Sequence, residues 1–143
     1  MQPSDHSIVA RMMKALYRYL GLPEEYLSDE KIAATMAQLA ARTNHLFLDV
    51  FMWEDRVVGY ALLFKYWYNE FGGMVLNIDE LFIEPDFRSK GIASHYLRHL
   101  EQSNSKDYVA LSLEVLPENE KAYALYKRAG FTEKETVMLY KII

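Results

Sequence analysis

The order of segments in this sequence predicts an α/β fold of the α+β kind, built on one sheet of mixed strand direction. Three observations carry that expectation. Two segments with apolar residues at helical spacing open the chain, and three consecutive runs rich in β-branched and aromatic residues follow, separated only by short polar or glycine steps. The remainder then alternates helix, strand, helix, strand. Short hairpin connections give antiparallel neighbours, whereas helical crossovers give parallel ones, so both directions are expected in one sheet.

The elements follow in order. Residues 6–20 place Ile8, Val9, Met12, Met13, Leu16, Tyr17 and Leu20 on one helical face, and Gly21 and Pro23 end the pattern. Ser28 or Asp29 caps a second helix whose apolar face carries Ile32, Met36 and Leu39, ending before Asn44. Leu46 to Trp53 and Arg56 to Trp67 form a hairpin around Glu54-Asp55, and Gly72-Gly73 turns the chain into a third strand, Met74 to Ile83. A helix runs from Ile92 to about Ser103, a strand from Tyr108 to Leu116, and a helix from Pro117 through Ala129, where Gly130 supplies the left-handed stop. Phe131 and Val137 to Ile142 are expected to form one last strand.

Composition narrows the function classes. At 143 residues the chain is read as a single domain, 1–143, with a hydrophobic fraction of 51% and a charged fraction of 25%, as in soluble globular proteins. With no cysteine, thiolate metal sites and cysteine nucleophiles are excluded. A net charge of −4 at pH 7 argues against a nucleic-acid partner, which clustered Lys and Arg would have to hold. No apolar run reaches the roughly 20 residues of a membrane span and no leader pattern opens the chain, so no membrane partner and a cytoplasmic location are expected.

The most informative segment is Leu81-Phe82-Ile83-Glu84-Pro85-Asp86-Phe87-Arg88-Ser89-Lys90-Gly91-Ile92-Ala93, an apolar strand passing through a short loop into a basic, glycine-containing helix start. Amides at a helix start have no intrahelical partner and lie at the positive end of the helix dipole, so they favour an anion such as a pyrophosphate. Gly91 admits close backbone approach, and Arg88 and Lys90 are expected to add mobile positive charge.

Arg88-Ser89-Lys90-Gly91-Ile92-Ala93 fits an Arg/Gln-x-x-Gly-x-Gly/Ala signature, and about 30 residues on comes Asn119-x-x-Ala122-x-x-x-Tyr126-x-x-x-Gly130-Phe131. With these two motifs the chain, from Leu46 to its C-terminus, resembles the GNAT superfamily of acyl-CoA-dependent N-acyltransferases. Gly59-Tyr60-Ala61, Ile78-Asp79-Glu80-Leu81-Phe82-Ile83 and Leu139-Tyr140-Lys141-Ile142 look like the diamine (spermidine/spermine-type) acetyltransferases. Two departures stand out: only Met1 to Asp5 precede the first helix, where family members usually have a strand, and Ala93 replaces the more common second glycine.

The resemblance implies a mostly antiparallel central sheet with helices on both faces, acetyl-CoA as the donor, and direct transfer to a primary amine in a ternary complex. It implies that Leu81, Phe82 and Ile83 bind the pantetheine arm like an added strand and that amides of Arg88, Ser89, Lys90, Gly91, Ile92, Ala93 and Ser94 hold the pyrophosphate. Asn119, Ala122, Tyr123 and Tyr126 fall on one helical face that could look onto the cofactor. Tyr126 is the expected general acid, since a phenol with an ordinary pKa near 10 stays protonated at neutral pH; packing in the core is its competing role.

An acceptor amine arrives as ammonium and must lose a proton before it attacks. Asp79, Glu80 and Glu114 are the candidate bases and cation-binding groups, against the alternative of solvated strand ends. Asp79 and Glu80 are adjacent, so they point to opposite faces unless a bulge intervenes. The acceptor is expected to be a small cation such as a polyamine or diamine, with a protein or peptide amine or an aminoglycoside as alternatives. A catalytically silent acyl-CoA-binding module is the rival from another class, and pairing of an exposed final strand would make a homodimer. His95 and His99 at i, i+4 read as helix surface, because no third metal ligand accompanies them.

Overall fold

A computed structural model describes residues 3–104 and 106–143. Two helices, α1 (Pro3–Tyr19) and α2 (Asp29–Ala40), precede the strands β1 (Leu46–Trp53), β2 (Arg56–Tyr68) and β3 (Gly73–Ile83). Helix α3 (Ile92–Asn104), strand β4 (Ala110–Leu113) and helix α4 (Glu120–Arg128) follow. Short 3₁₀ turns at Glu24–Leu27 and Pro85–Phe87 were not evident from periodicity. The sheet order is β1-β2-β3-β4, antiparallel except for the parallel β3–β4 pair that the α3 crossover produces. Helix α1 begins at Pro3 and so takes in part of the Met1 to Asp5 segment expected to precede it, while Met1 and Gln2 lie outside the described residues.

Helices cover both faces because the strands carry apolar residues on both. On one face α1 sets Val9, Met12, Met13 and Leu16 against Tyr60, Leu62 and Phe82, with Ile32 of α2 alongside. On the other, Tyr96, Leu97 and Leu100 of α3 pack on Phe51, Ala61, Leu63, Leu76 and Ile78. The caps explain where the later helices begin: Ser28 accepts from the Lys31 amide at α2, and Asn119 accepts from the Ala122 amide at α4. Among the described residues no helix is long and apolar enough to cross a membrane.

Two expected strands change. The segment Tyr108 to Leu116 is strand only over Ala110–Leu113, with Val109 donating to the Met74 carbonyl (2.9 Å) just before it, and beyond Leu113 the bulge after Ile78 leaves it without a partner. Val137 to Ile142 form no strand at all, and Leu139, Tyr140 and Ile142 stand more than four-fifths exposed (89%, 81% and 87%). The reason lies just upstream. The Lys134 ammonium bonds to the Tyr68 hydroxyl and to Glu70 Oε2 (2.8 Å), while Glu133 takes the Tyr123 hydroxyl, so the tail is drawn to the hairpin end of β2. β propensity without a backbone partner does not make a strand.

Candidate active site

The site is built around an irregularity in β3. Leu62 pairs with Glu80 but Leu63 pairs with Ile78, so Asp79 is an extra residue on β3. A bulge of this kind re-aims the side chains that follow it. Leu76 and Ile78 point into the α3 core, and strict alternation would send Glu80 after them. Instead Glu80 joins Tyr60 and Phe82 beneath α1, and Leu81 and Ile83 take the α3 side. The condition attached to the adjacent carboxylates is therefore met: Asp79 is exposed at the bulge while Glu80 is buried, with 8% of its surface accessible.

The bulge also parts the sheet. The β3–β4 pairing stops at Ile78–Leu113, immediately before Asp79, so the edge of β3 from Leu81 onward faces a gap. Glu84 donates to the Val58 carbonyl (2.8 Å) and Phe82 pairs with Tyr60. By the alternation of an antiparallel ladder, the amides and carbonyls of Leu81 and Ile83 then turn away from β2, toward that gap. The Ile83 carbonyl accepts from Arg88 Nε (2.8 Å).

Glu114 lies just past β4, exposed and close enough to Asp79 to act on it electrostatically. Although part of its surface is exposed, desolvation by the surrounding chain and then the Glu114 charge raise the Asp79 pKa. Desolvation pushes Glu80 up to about 7, opposed by the hydrogen bond from Tyr60 and, more weakly, by the nearby Tyr17 phenol, and reinforced by the Asp79 charge. The Tyr60 hydroxyl donates to Glu80 Oε2 at 2.7 Å. Tyr17 was read only as a helix-face apolar residue, yet a phenol on a buried face needs a polar partner, and that signal was available in the sequence. Next to this cluster Ser112 donates to Asn77 Oδ1 (2.8 Å) and lies 3.3 Å from the Tyr66 hydroxyl, a polar strip across β2, β3 and β4 whose Asn77 and Ser112 sequence reasoning missed.

The helix-start turn has the shape that the sequence suggested. Ser89 and Gly91 both have positive φ (60° and 80°), and α3 makes its first helical bond from His95 to the Gly91 carbonyl. Among the described residues the amides of Lys90, Gly91, Ile92, Ala93 and Ser94 donate to no backbone carbonyl, and Ser89 to Gly91 are exposed. No atom lies within 4 Å of where a Gly91 Cβ would stand. Two expectations are corrected here. The Arg88 amide is already bonded to the Pro85 carbonyl (3.2 Å), and its guanidinium is fixed by Ile83 and by the rings of Tyr19 and Phe82 (4.7 and 5.6 Å). Lys90 stays exposed, with its ammonium near the rings of Trp53 and Phe87 (5.2 and 5.1 Å), so it is the Arg88 guanidinium that is not free as expected.

Helix α4 divides the residues expected to share one face. Tyr126 packs against the α3-side core with its ring 5.8 Å from Phe131, and burial raises its pKa to about 12. Its hydroxyl bonds to no described residue and is not sealed from solvent. Tyr123 instead is exposed and turned to Glu133, because the charged tail crosses there, and Asn119 spends its side-chain oxygen as the cap of α4, with Ala122 as donor. Tyr126 and Glu80 thus sit on opposite faces of the sheet, and the gap between β3 and β4 opens between those faces. His95 and His99 are exposed on α3, with His99 against Ser103 (3.2 Å).

Comparison with known proteins agrees with this architecture. An uncharacterized N-acetyltransferase of Methanocaldococcus jannaschii is 39% identical over 64 residues, a stretch covering 44% of this chain and 28% of that protein's length. A possible acetyltransferase from Clostridium difficile 630 superposes with a TM-score of 0.84 at 22% identity, covering 100% of this chain and 95% of the other. An aminoglycoside N-acetyltransferase solved with the bisubstrate analogue CoA-S-monomethyl-acetylneamine gives a TM-score of 0.77 at 20% identity over 100% and 95% of the chains. At those identities the two structures show the fold alone. The model of the Acetyltransferase (GNAT) family matches residues 10–131, and with that match over most of its length the chain belongs to this family.

Proposed function

We propose that this chain transfers an acetyl group from acetyl-CoA directly to a primary amine of a small cation, with Glu80 taking the amine's proton and Tyr126 donating one to the leaving sulfur. The observation that carries the reading is the bulge at Asp79. It opens β3 from β4, leaves the Leu81 and Ile83 backbone facing the gap, and gathers Asp79, Glu80 and Glu114 beside it. The donor supplies an activated acetyl thioester. Lys90 to Ser94 offer unpartnered amides for its pyrophosphate, and Leu81 and Ile83 offer backbone groups for the pantetheine.

The chain's own residues divide the remaining work. Asp79 and Glu114, exposed and of like charge, attract the ammonium group, and a bound cation relieves their mutual repulsion. Glu80, with its pKa near 7, is matched to accept a proton at neutral pH. Tyr126 keeps its proton far above neutrality and carries it at a hydroxyl with no partner in the described chain.

Two outcomes test these assignments by thiol release from acetyl-CoA. Asp79→Asn and Glu114→Gln each raise the KM for 1,4-diaminobutane about threefold to tenfold with little change in kcat, and unchanged KM values contradict the cation site. Tyr126→Phe lowers kcat about a hundredfold while CoA affinity stays within twofold; unaltered turnover removes Tyr126 from the chemistry.

A second reading of the acceptor rests on the strip formed by Tyr66, Asn77 and Ser112. Hydroxyl and amide groups in a row suit an acceptor that bears hydroxyls as well as amines, such as an amino sugar. Higher kcat/KM for an aminoglycoside than for the diamine, lost in Asn77→Ala, selects that reading.

A further inference from the structure

We infer that Tyr17 and Tyr60 are positioning residues for Glu80: two phenols, one from α1 and one from β2, close on the carboxylate that the β3 bulge turns beneath the first helix. Tyr60 is wholly buried and donates to Glu80 Oε2 at 2.7 Å. Tyr17 is half-buried on α1, with its phenol close enough to the same carboxylate for each group to raise or lower the other's pKa. No ion pair among the described residues includes Glu80. The charge that faces it is its neighbour Asp79, which is of the same sign.

A buried carboxylate without a cation is stable as an anion only if neutral donors are aimed at it. Both phenols meet that need, and both are held as donors: burial and the Glu80 charge raise Tyr17 to about 12 and Tyr60 higher still. The Tyr60 bond fixes one carboxyl oxygen, and the Tyr17 phenol approaches from a different packed element. α1 therefore does more than cover the sheet. It brings up one of the two phenols that favour the ionised form of Glu80 against the effect of burial.

This inference rests on the reading of Glu80 as the proton acceptor, but its first measurement does not. Protein labelled with ¹³C at the Glu side-chain carboxyl is titrated by NMR, with the Glu80 signal identified by its loss in Glu80→Gln. In Tyr60→Phe and in Tyr17→Phe the Glu80 midpoint rises by about one pH unit, since a donor that favours the ionised form is gone. Midpoints equal to wild type in both variants overturn the inference. Should Tyr60→Phe fail to fold, Tyr17→Phe, whose ring is partly exposed, decides the matter alone. The acid limb of kcat/KM with acetyl-CoA and 1,4-diaminobutane is expected to move by the same amount. A shifted midpoint with an unmoved limb supports the grip on Glu80 and overturns its use as the base.

Discussion

Glu80→Gln is expected to lower kcat/KM by about a hundredfold to ten-thousandfold and, at the same time, to make the folded protein more stable above neutral pH. Both effects come from one burial. Glu80 has an ordinary value of 4.5 and a folded value of about 7, with desolvation the largest cause. Between those values the folded chain holds a proton that the unfolded chain has released, so stability falls as pH rises through this window. Above about pH 7 the loss is complete, and 2.5 units correspond to about 3 kcal/mol. Glutamine has no such titration. Urea unfolding from pH 4.5 to 8.5 should show the Gln variant gaining on wild type by about that amount, with the gap closing toward pH 4.5. A gap independent of pH contradicts the buried, proton-holding state of this carboxylate.

Gly91→Val is expected to weaken CoA binding about tenfold to hundredfold while leaving the core intact. Gly91 has φ +80°, and a Cβ there would meet no atom within 4 Å, so the cost comes from the backbone conformation and not from a clash. A β-branched residue disfavours this region, and the turn relieves the strain by rotating the peptides on either side. Those peptides carry the unpartnered amides of Lys90 to Ala93. Calorimetric titration with CoA checks the result. An unchanged Kd contradicts the role of this turn in binding the anion.

Much of this arrangement was legible from local pattern. Strands β1 to β3 and the start of α3 lie within a residue of where alternation and the Gly91 turn put them, because their signals are carried in consecutive residues. The bulge was not legible. Nothing within β3 marks Asp79 as the extra residue; the register with β2 does, and register is a long-range property. The shortened β4 follows from the same bulge, and the unpaired tail from contacts that Lys134 and Glu133 make with distant residues. Arg88 illustrates the limit on charge reading. Its type and place suggested a free anion ligand, but Ile83 offers a carbonyl and Tyr19 and Phe82 offer rings, and these hold the guanidinium. Tyr17 and Tyr60 look apolar in a periodicity argument, since only the fold shows which polar group their hydroxyls meet.

The unpartnered amides at the start of α3 and along the open edge of β3 are the groups on which acetyl-CoA binding depends most directly. Titration of the ¹⁵N-labelled protein with CoA, followed amide by amide, tests that dependence. The expected result is saturable shifts at Lys90, Gly91, Ile92, Ala93 and Ser94, joined by Leu81 and Ile83, all with one Kd and all weakened together in Gly91→Val. Saturable binding that moves other amides and leaves these unmoved would contradict it.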